Sequence, residues 1–155
     1  MRLFKNQVLM HSHVLSFATF IKQGDICAMT EWIKGNIEAL GLKMSGRILA
    51  TVKTVNSVSV DNFWDTEFLV PVDREFKNNS HFVYKPLFKM MNAIKTQHVG
   101  SMSDIHERIV LLENYIAEYD LKPITGYYFS FLSSPVDSPK SCIVDIYVGI
   151  SDNIL

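Results

Sequence analysis

Two carboxylates in this chain sit where strands normally carry apolar or neutral residues. Glu67 interrupts the run Trp64 to Asp73, WDTEFLVPVD, and Asp145 interrupts Ser141 to Asp152, SCIVDIYVGISD. An acid inside an apolar stretch has three chemical outlets. It can act as a general base if desolvation raises its affinity for a proton. It can hold an organic cation together with the negative faces of nearby rings. It can also face water from the open side of an antiparallel sheet. The aromatic residues Trp64, Tyr127, Tyr128, Phe129 and Tyr147 are expected close to the acids in the sheet. Aromatic residues in strands also serve as plain core, so both roles stay open for them.

Other reactive side chains offer less. His11 and His13 stand two apart on an extended segment, but no third ligand accompanies them, and a solvated face accounts for both. Cys27 and Cys142 are the only cysteines and form no CxxC pair, which reads as two reduced, buried thiols. The chain carries no GxSxG, HExxH, P-loop or GxGxxG pattern. We therefore assign no catalytic residue, no metal ligand and no cofactor.

The elements that must position the acids are written twice. Asp25 to Lys43, DICAMTEWIKGNIEALGLK, aligns without a gap on Asp104 to Lys122, DIHERIVLLENYIAEYDLK. Ile26, Met29, Ile33, Ile37 and Leu40 recur at helical spacing, as do Ile105, Ile109, Leu112, Ile116 and Tyr119. Asp25 and Ser103-Asp104 suit helix starts, and Gly41 and Asp120 suit helix ends. Each helix is preceded by an extended segment ending in a glycine, Gly24 or Gly100. Each is followed by a β-branched or aromatic run, a polar turn (Asn56 to Asp61, Ser133 to Lys140) and a return strand. In the return strands Val70 matches Val148, Val72 matches Ile150, and Glu67 matches Asp145.

Strand alternation puts Trp64, Thr66, Phe68, Val70 and Val72 on one face, with Cys142, Val144, Ile146, Val148 and Ile150 as their counterparts. These cleaner apolar rows belong under the helices, so Glu67 and Asp145 belong to the opposite side or to a cleft between the halves. The expected architecture is α+β: two tandem strand-helix-strand-strand units, about 1–73 and 82–155, sharing one antiparallel sheet with two helices on one face. The 155 residues then make a single domain, able to bury about 68–70% of its unfolded surface.

This order of elements, with His98-Val99-Gly100 before the second helix and Ile146-Tyr147-Val148-Gly149-Ile150 closing the chain, resembles the GyrI-like small-molecule-binding domains, also called effector-binding domains of bacterial transcription activators. The closing strand of that family ends in an apolar-Tyr-apolar-Pro-apolar pattern. Gly149 departs from it, while Phe68-Leu69-Val70-Pro71-Val72 keeps the proline in the first half. The resemblance implies a cleft between the halves lined by aromatic residues and an acid, hence a stand-alone module for a small amphipathic or cationic molecule bound by Glu67, Asp145, Trp64, Tyr127 and Tyr147. It equally implies a protein-interaction role in which exposed sheet edges add a partner strand. It further implies, as a third reading, a small hydrolase with Glu67 as general base. His98 matches the family's histidine, and hydrogen-bonding of the loop entering the helix is a sufficient role for it.

Composition bounds the partners. The chain is 48% hydrophobic and 20% charged with a formal charge of -1, which supplies no basic surface for direct nucleic-acid binding. No stretch approaches the roughly 18 apolar residues of a membrane span, and the opening residues lack a secretion signal. The expected setting is the cytoplasm, as a monomer or homodimer without membrane contact.

Overall fold

A computed structural model describes residues 3–52, 63–133 and 141–151. The turns expected at Asn56 to Asp61 and Ser133 to Lys140 lie outside the described residues, save for Ser133, which ends a strand. The elements follow the repeat. In the first half they are β1 (Leu3–Lys22), α1 (Ile26–Ala39), β2 (Leu49–Val52) and β3 (Phe63–Pro71). In the second they are β4 (Val83–Ser101), α2 (His106–Glu118), β5 (Pro123–Ser133) and β6 (Ser141–Ile150).

Both helices stop for the same local reason. Gly41 (φ 76°) and Asp120 (φ 51°) adopt the left-handed conformation just past the helix ends. The Leu42 N–H then donates to the Ile37 carbonyl at 3.2 Å, and the Leu121 N–H to that of Ile116 at 2.9 Å, satisfying carbonyls that would otherwise be orphaned. At the starts, Asp25 and Asp104 lie in short 3-10 turns, where their charge offsets the helix dipole; the Asp25 side chain makes no capping hydrogen bond. Equivalence at a constant shift places Gly24 on Ser103, so Gly100, with φ 135°, is an internal residue of β4 rather than the counterpart of Gly24.

The two helices share one core. Ile26, Ile33 and Ile37 of α1, Leu112 of α2 and Ile105 just before it are buried with Phe68, Val70, Phe129, Val144, Ile146 and Val148 from the strands. Every member of the apolar rows read from β3 and β6 points into this layer, with Trp64 at its margin. Fully burying a side chain such as Phe68 contributes about 1.5–3 kcal/mol, so this layer carries most of the driving force for folding.

One feature departs from the expected open sheet. The strands run in the order β1-β3-β2-β5-β6-β4 and β1 also pairs with β4, closing the sheet. Closure leaves no free edge among these strands, so the strand addition expected for a protein partner has no place to occur. It depends on the length of β1 and β4. Val14 to Lys22 pairs with β3 of the same half, whereas Leu3 to Ser16 pairs with β4 of the other half. His13 (φ 60°) and Asn92 (φ 51°) bend the two strands at equivalent positions, where β1 and β4 turn away from their own halves. The two leading segments form a ribbon across the helix-free side of the sheet.

Cys27, at the start of α1, and Cys142, at the start of β6, are joined by a disulfide with Cα atoms 6.3 Å apart. This corrects the expectation of two reduced thiols. The pairing becomes possible because α1 packs over the second half's closing strand, a relation that no local sequence pattern encodes.

Candidate functional site

The hydrogen-bonded register lines up two adjacent rows on the helix-free face. In one, Glu67 on β3 stands opposite Thr51 on β2, Thr51 opposite Tyr128 on β5, and Tyr128 opposite Tyr147 on β6. In the next, Leu69, Leu49, Ser130 and Asp145 follow one another across the same strands. Both acids thus face away from the helices, as alternation requires. Three strand spacings separate them, about 14 Å across the sheet, and the two tyrosines lie on the row of Glu67.

Both acids are largely withdrawn from water. The Glu67 side chain is 15% exposed and that of Asp145 only 5%. The Lys85 ammonium lies 2.7 Å from Glu67 Oε2, and the Ser16 hydroxyl donates to the same oxygen. Around Asp145, the Gln97 amide donates to Oδ1 at 3.1 Å, the Arg47 guanidinium to Oδ2 at 3.3 Å, and the Lys95 ammonium stands 4.0 Å away. Each carboxylate is therefore met by a cation from the other half of the chain.

The walls are aromatic and aliphatic. Phe88 packs against Tyr128 with ring centroids 5.2 Å apart, and Leu9, Phe88 and Tyr128 join the small cluster of Val14, Leu49 and Leu69 to that of Met90, Ala93 and Tyr147. Side chains from the ribbon thus fill much of the space over the sheet. Burial, reinforced by the charge of Glu67 and opposed by Lys85, pushes the Tyr128 phenol upward. Burial and then Asp145 do the same for Tyr147. Both phenols remain protonated near neutrality and present O–H donors beside the acids.

Of the five residues read from the sequence, Glu67, Asp145 and Tyr147 share this face. Trp64 and Tyr127 lie on the other. Trp64 stacks on Phe129 at 6.2 Å, and the Tyr127 hydroxyl donates to Glu113 of α2 at 3.1 Å. Tyr127 also lines a separate depression of about 340 Å³ beside the C-terminal end of α2, with Ile116, Leu121 and Val148. Lys85, Arg47, Phe88 and Tyr128 complete the helix-free site. Tyr128 is detectable by alternation, being two residues from Ser130, whereas the cations are brought in only by tertiary pairing.

The histidines have structural roles. The His98 ring donates from Nε2 to the Ser101 carbonyl at 2.8 Å, holding the turn into α2. His13 Nδ1 meets the Tyr84 hydroxyl at 2.7 Å, and His11 packs over Gly46. Among the described residues no cluster of three or more His, Cys, Asp or Glu is placed to hold a metal, and no helix is long and apolar enough to cross a membrane.

No family model and no curated protein sequence matches the chain. Solved structures do match in fold. The C-terminal domain of EcmrR aligns at 13% identity with a TM-score of 0.66, over 97% of this chain and 99% of that one. The EcmrR chain of an EcmrR–DNA complex gives a TM-score of 0.72 at 12% identity, over 94% of this chain and 57% of that chain, so the present chain spans little more than half of it. SAV2435 bound to tetraphenylphosphonium aligns at 10% identity with a TM-score of 0.53, over 97% and 93% of the two chains. A protein from Listeria innocua named as a hydrolase aligns at 11% identity with a TM-score of 0.55, over 97% and 91%. The fold is that of the GyrI-like domains, two strand-helix-strand-strand units with both helices on one side.

Proposed function

We propose that this protein is a non-catalytic binding module that accepts a small amphipathic molecule with a cationic head on the helix-free face between its two halves. The observation that carries this reading is the placement of Glu67 and Asp145 at equivalent positions, both partly or fully covered and both beside tyrosines. A carboxylate shielded from water attracts a cation more strongly than an exposed one, and aromatic faces add to that attraction. That SAV2435, of the same fold, is known bound to tetraphenylphosphonium supports a lipophilic cation as the probe. The test is thermal-shift titration with tetraphenylphosphonium. Stabilisation of the wild type, diminished in both Glu67→Gln and Asp145→Asn, is expected; stabilisation indifferent to both substitutions would sink the idea.

The filling of this face by Leu9 and Phe88 favours a second reading, in which the module binds a protein. The outer side of the ribbon exposes Val8, Met10, Leu87 and Met91, which would supply contacts without strand addition. A partner that co-purifies equally with wild type and with the double acid variant would support it. Hydrolysis through Glu67 draws on the family resemblance and on the name of the Listeria protein, and a substrate proton would have to compete with Lys85 and Ser16 for that carboxylate. Turnover abolished by Glu67→Gln would be its signature.

A further inference from the structure

We propose that Lys85 is a tethered competitor for the cation seat at Glu67, so that a cationic ligand binds by displacing an ammonium group that the protein itself supplies. This rests on the binding reading above and specifies which acid receives the ligand and what sets its affinity.

The two acids are held differently. Asp145 has three nitrogen groups around it, from Gln97, Arg47 and Lys95, and its side chain is almost wholly covered. Admitting a ligand there would mean displacing several donors, among them Lys95, whose side chain is only 21% exposed. Glu67 is met by Lys85 and the Ser16 hydroxyl. The Lys85 side chain is 44% exposed although its ammonium touches a carboxylate that is 15% exposed, so its stem already reaches water. A lysine with four rotatable bonds can swing outward and recover full hydration, so Lys85 can yield the seat more readily than Lys95 can leave Asp145.

Position also singles out Lys85. It lies on the ribbon, paired with Val14, and approaches Glu67 from the other half of the chain. The shift of 79 that superposes Asp25 on Asp104 carries Lys85 back onto Asn6, which has no charge. Asp145 therefore has no equivalent cap from the ribbon, and the Lys85–Glu67 pair is particular to one seat. Tyr128 stands on the row of Glu67 just beyond Thr51 and packs against Phe88 of the ribbon, placing an aromatic wall near the pair. A ligand cation arriving there would replace the ammonium while its apolar body met Tyr128 and Phe88.

Isothermal titration with tetraphenylphosphonium on wild type, Lys85→Met, Lys85→Gln, Glu67→Gln and the Lys85→Met/Glu67→Gln double variant tests this. An ion pair with one partner in water is worth up to about 1 kcal/mol, so removing the competitor should tighten binding about fivefold in both lysine variants. The gain should vanish in the double variant. Measurable wild-type binding that is lost in Glu67→Gln but unchanged or weakened in both lysine variants would overturn the competition while leaving the binding reading intact. Absence of binding in every variant would overturn both. Circular dichroism and thermal midpoints of the lysine variants confirm that the compared proteins are folded.

Discussion

Replacing Asp145 by alanine is the sharpest probe of how the helix-free face is held. The substitution removes a covered carboxylate, the acceptor of the Gln97 and Arg47 hydrogen bonds and the counter-charge of Lys95. Breaking a buried ion pair by deleting one partner costs about 3–5 kcal/mol when the survivor stays buried. Here the main cationic survivor, Arg47, is 52% exposed and can turn into water, which removes much of that penalty. What remains is the hydrogen bond from Gln97, an exposed residue that can turn to water, and the partly covered Lys95, together about 1–2 kcal/mol. For a chain of this size that lowers the thermal midpoint by about 2–8 °C. Asp145→Asn keeps an acceptor for Gln97 and should lose less. A double-mutant cycle in calorimetry separates the partners: coupling to the partly covered Lys95 should exceed coupling to the exposed Gln97, and about 1 kcal/mol is the ceiling for the exposed Arg47 pair. An Asp145→Ala midpoint within about 1 °C of wild type would refute the argument that coverage makes this acid structurally committed.

Gly149→Ala should destabilise by about 1–3 kcal/mol in urea denaturation, because the added Cβ would fall 2.9 Å from Thr125 Cγ2 and 3.4 Å from Met90 Cγ. Restoring proline at that position should do no better, since the Gly149 N–H donates to Thr125 Oγ1 at 2.8 Å and proline has none to give. Burial holds the His11 imidazole below its usual range. Its contribution is therefore fully present above about pH 6.5 and is lost as pH falls through the lowered folded value, because the unfolded chain takes up the proton first. His11→Gln should flatten that part of the stability–pH curve. Reduction of the Cys27–Cys142 bond, which spans 115 residues, should cost about 4–5 kcal/mol by the chain-entropy estimate, read as a fall in denaturation midpoint with reductant that Cys27→Ser reproduces.

The faces of the strands were legible because each obeys a period of two beside a neighbour that obeys the same rule. Phe68, Val70, Ile146 and Val148 fall under the helices as alternation demands, and Glu67 and Asp145 are carried to the other side by the same parity. Trp64 and Tyr127 show the limit of proximity in sequence. Each is an odd number of residues from its neighbouring site residue, Glu67 or Tyr128, and alternation sends both toward the helices. Closure of the sheet was not legible. It depends on Leu3 to Ser16 leaving its own half to pair with β4, and the bends that allow it fall at a histidine and an asparagine rather than at glycines. Lys85, Arg47 and the Cys27–Cys142 bond share that character, since each joins groups whose meeting is decided by the closed topology and not by any local period.

The bends at His13 and Asn92 make each half an unfinished object. A fragment ending within the polar connection at 74–82 would carry α1 and three strands, yet the first dozen residues of β1 would have nothing to pair with until the second fragment arrived. The same is true in reverse for β4. Two such fragments, expressed separately and mixed, should therefore complement one another in trans. The bond between Cys27 of one and Cys142 of the other would then lock the reconstituted pair.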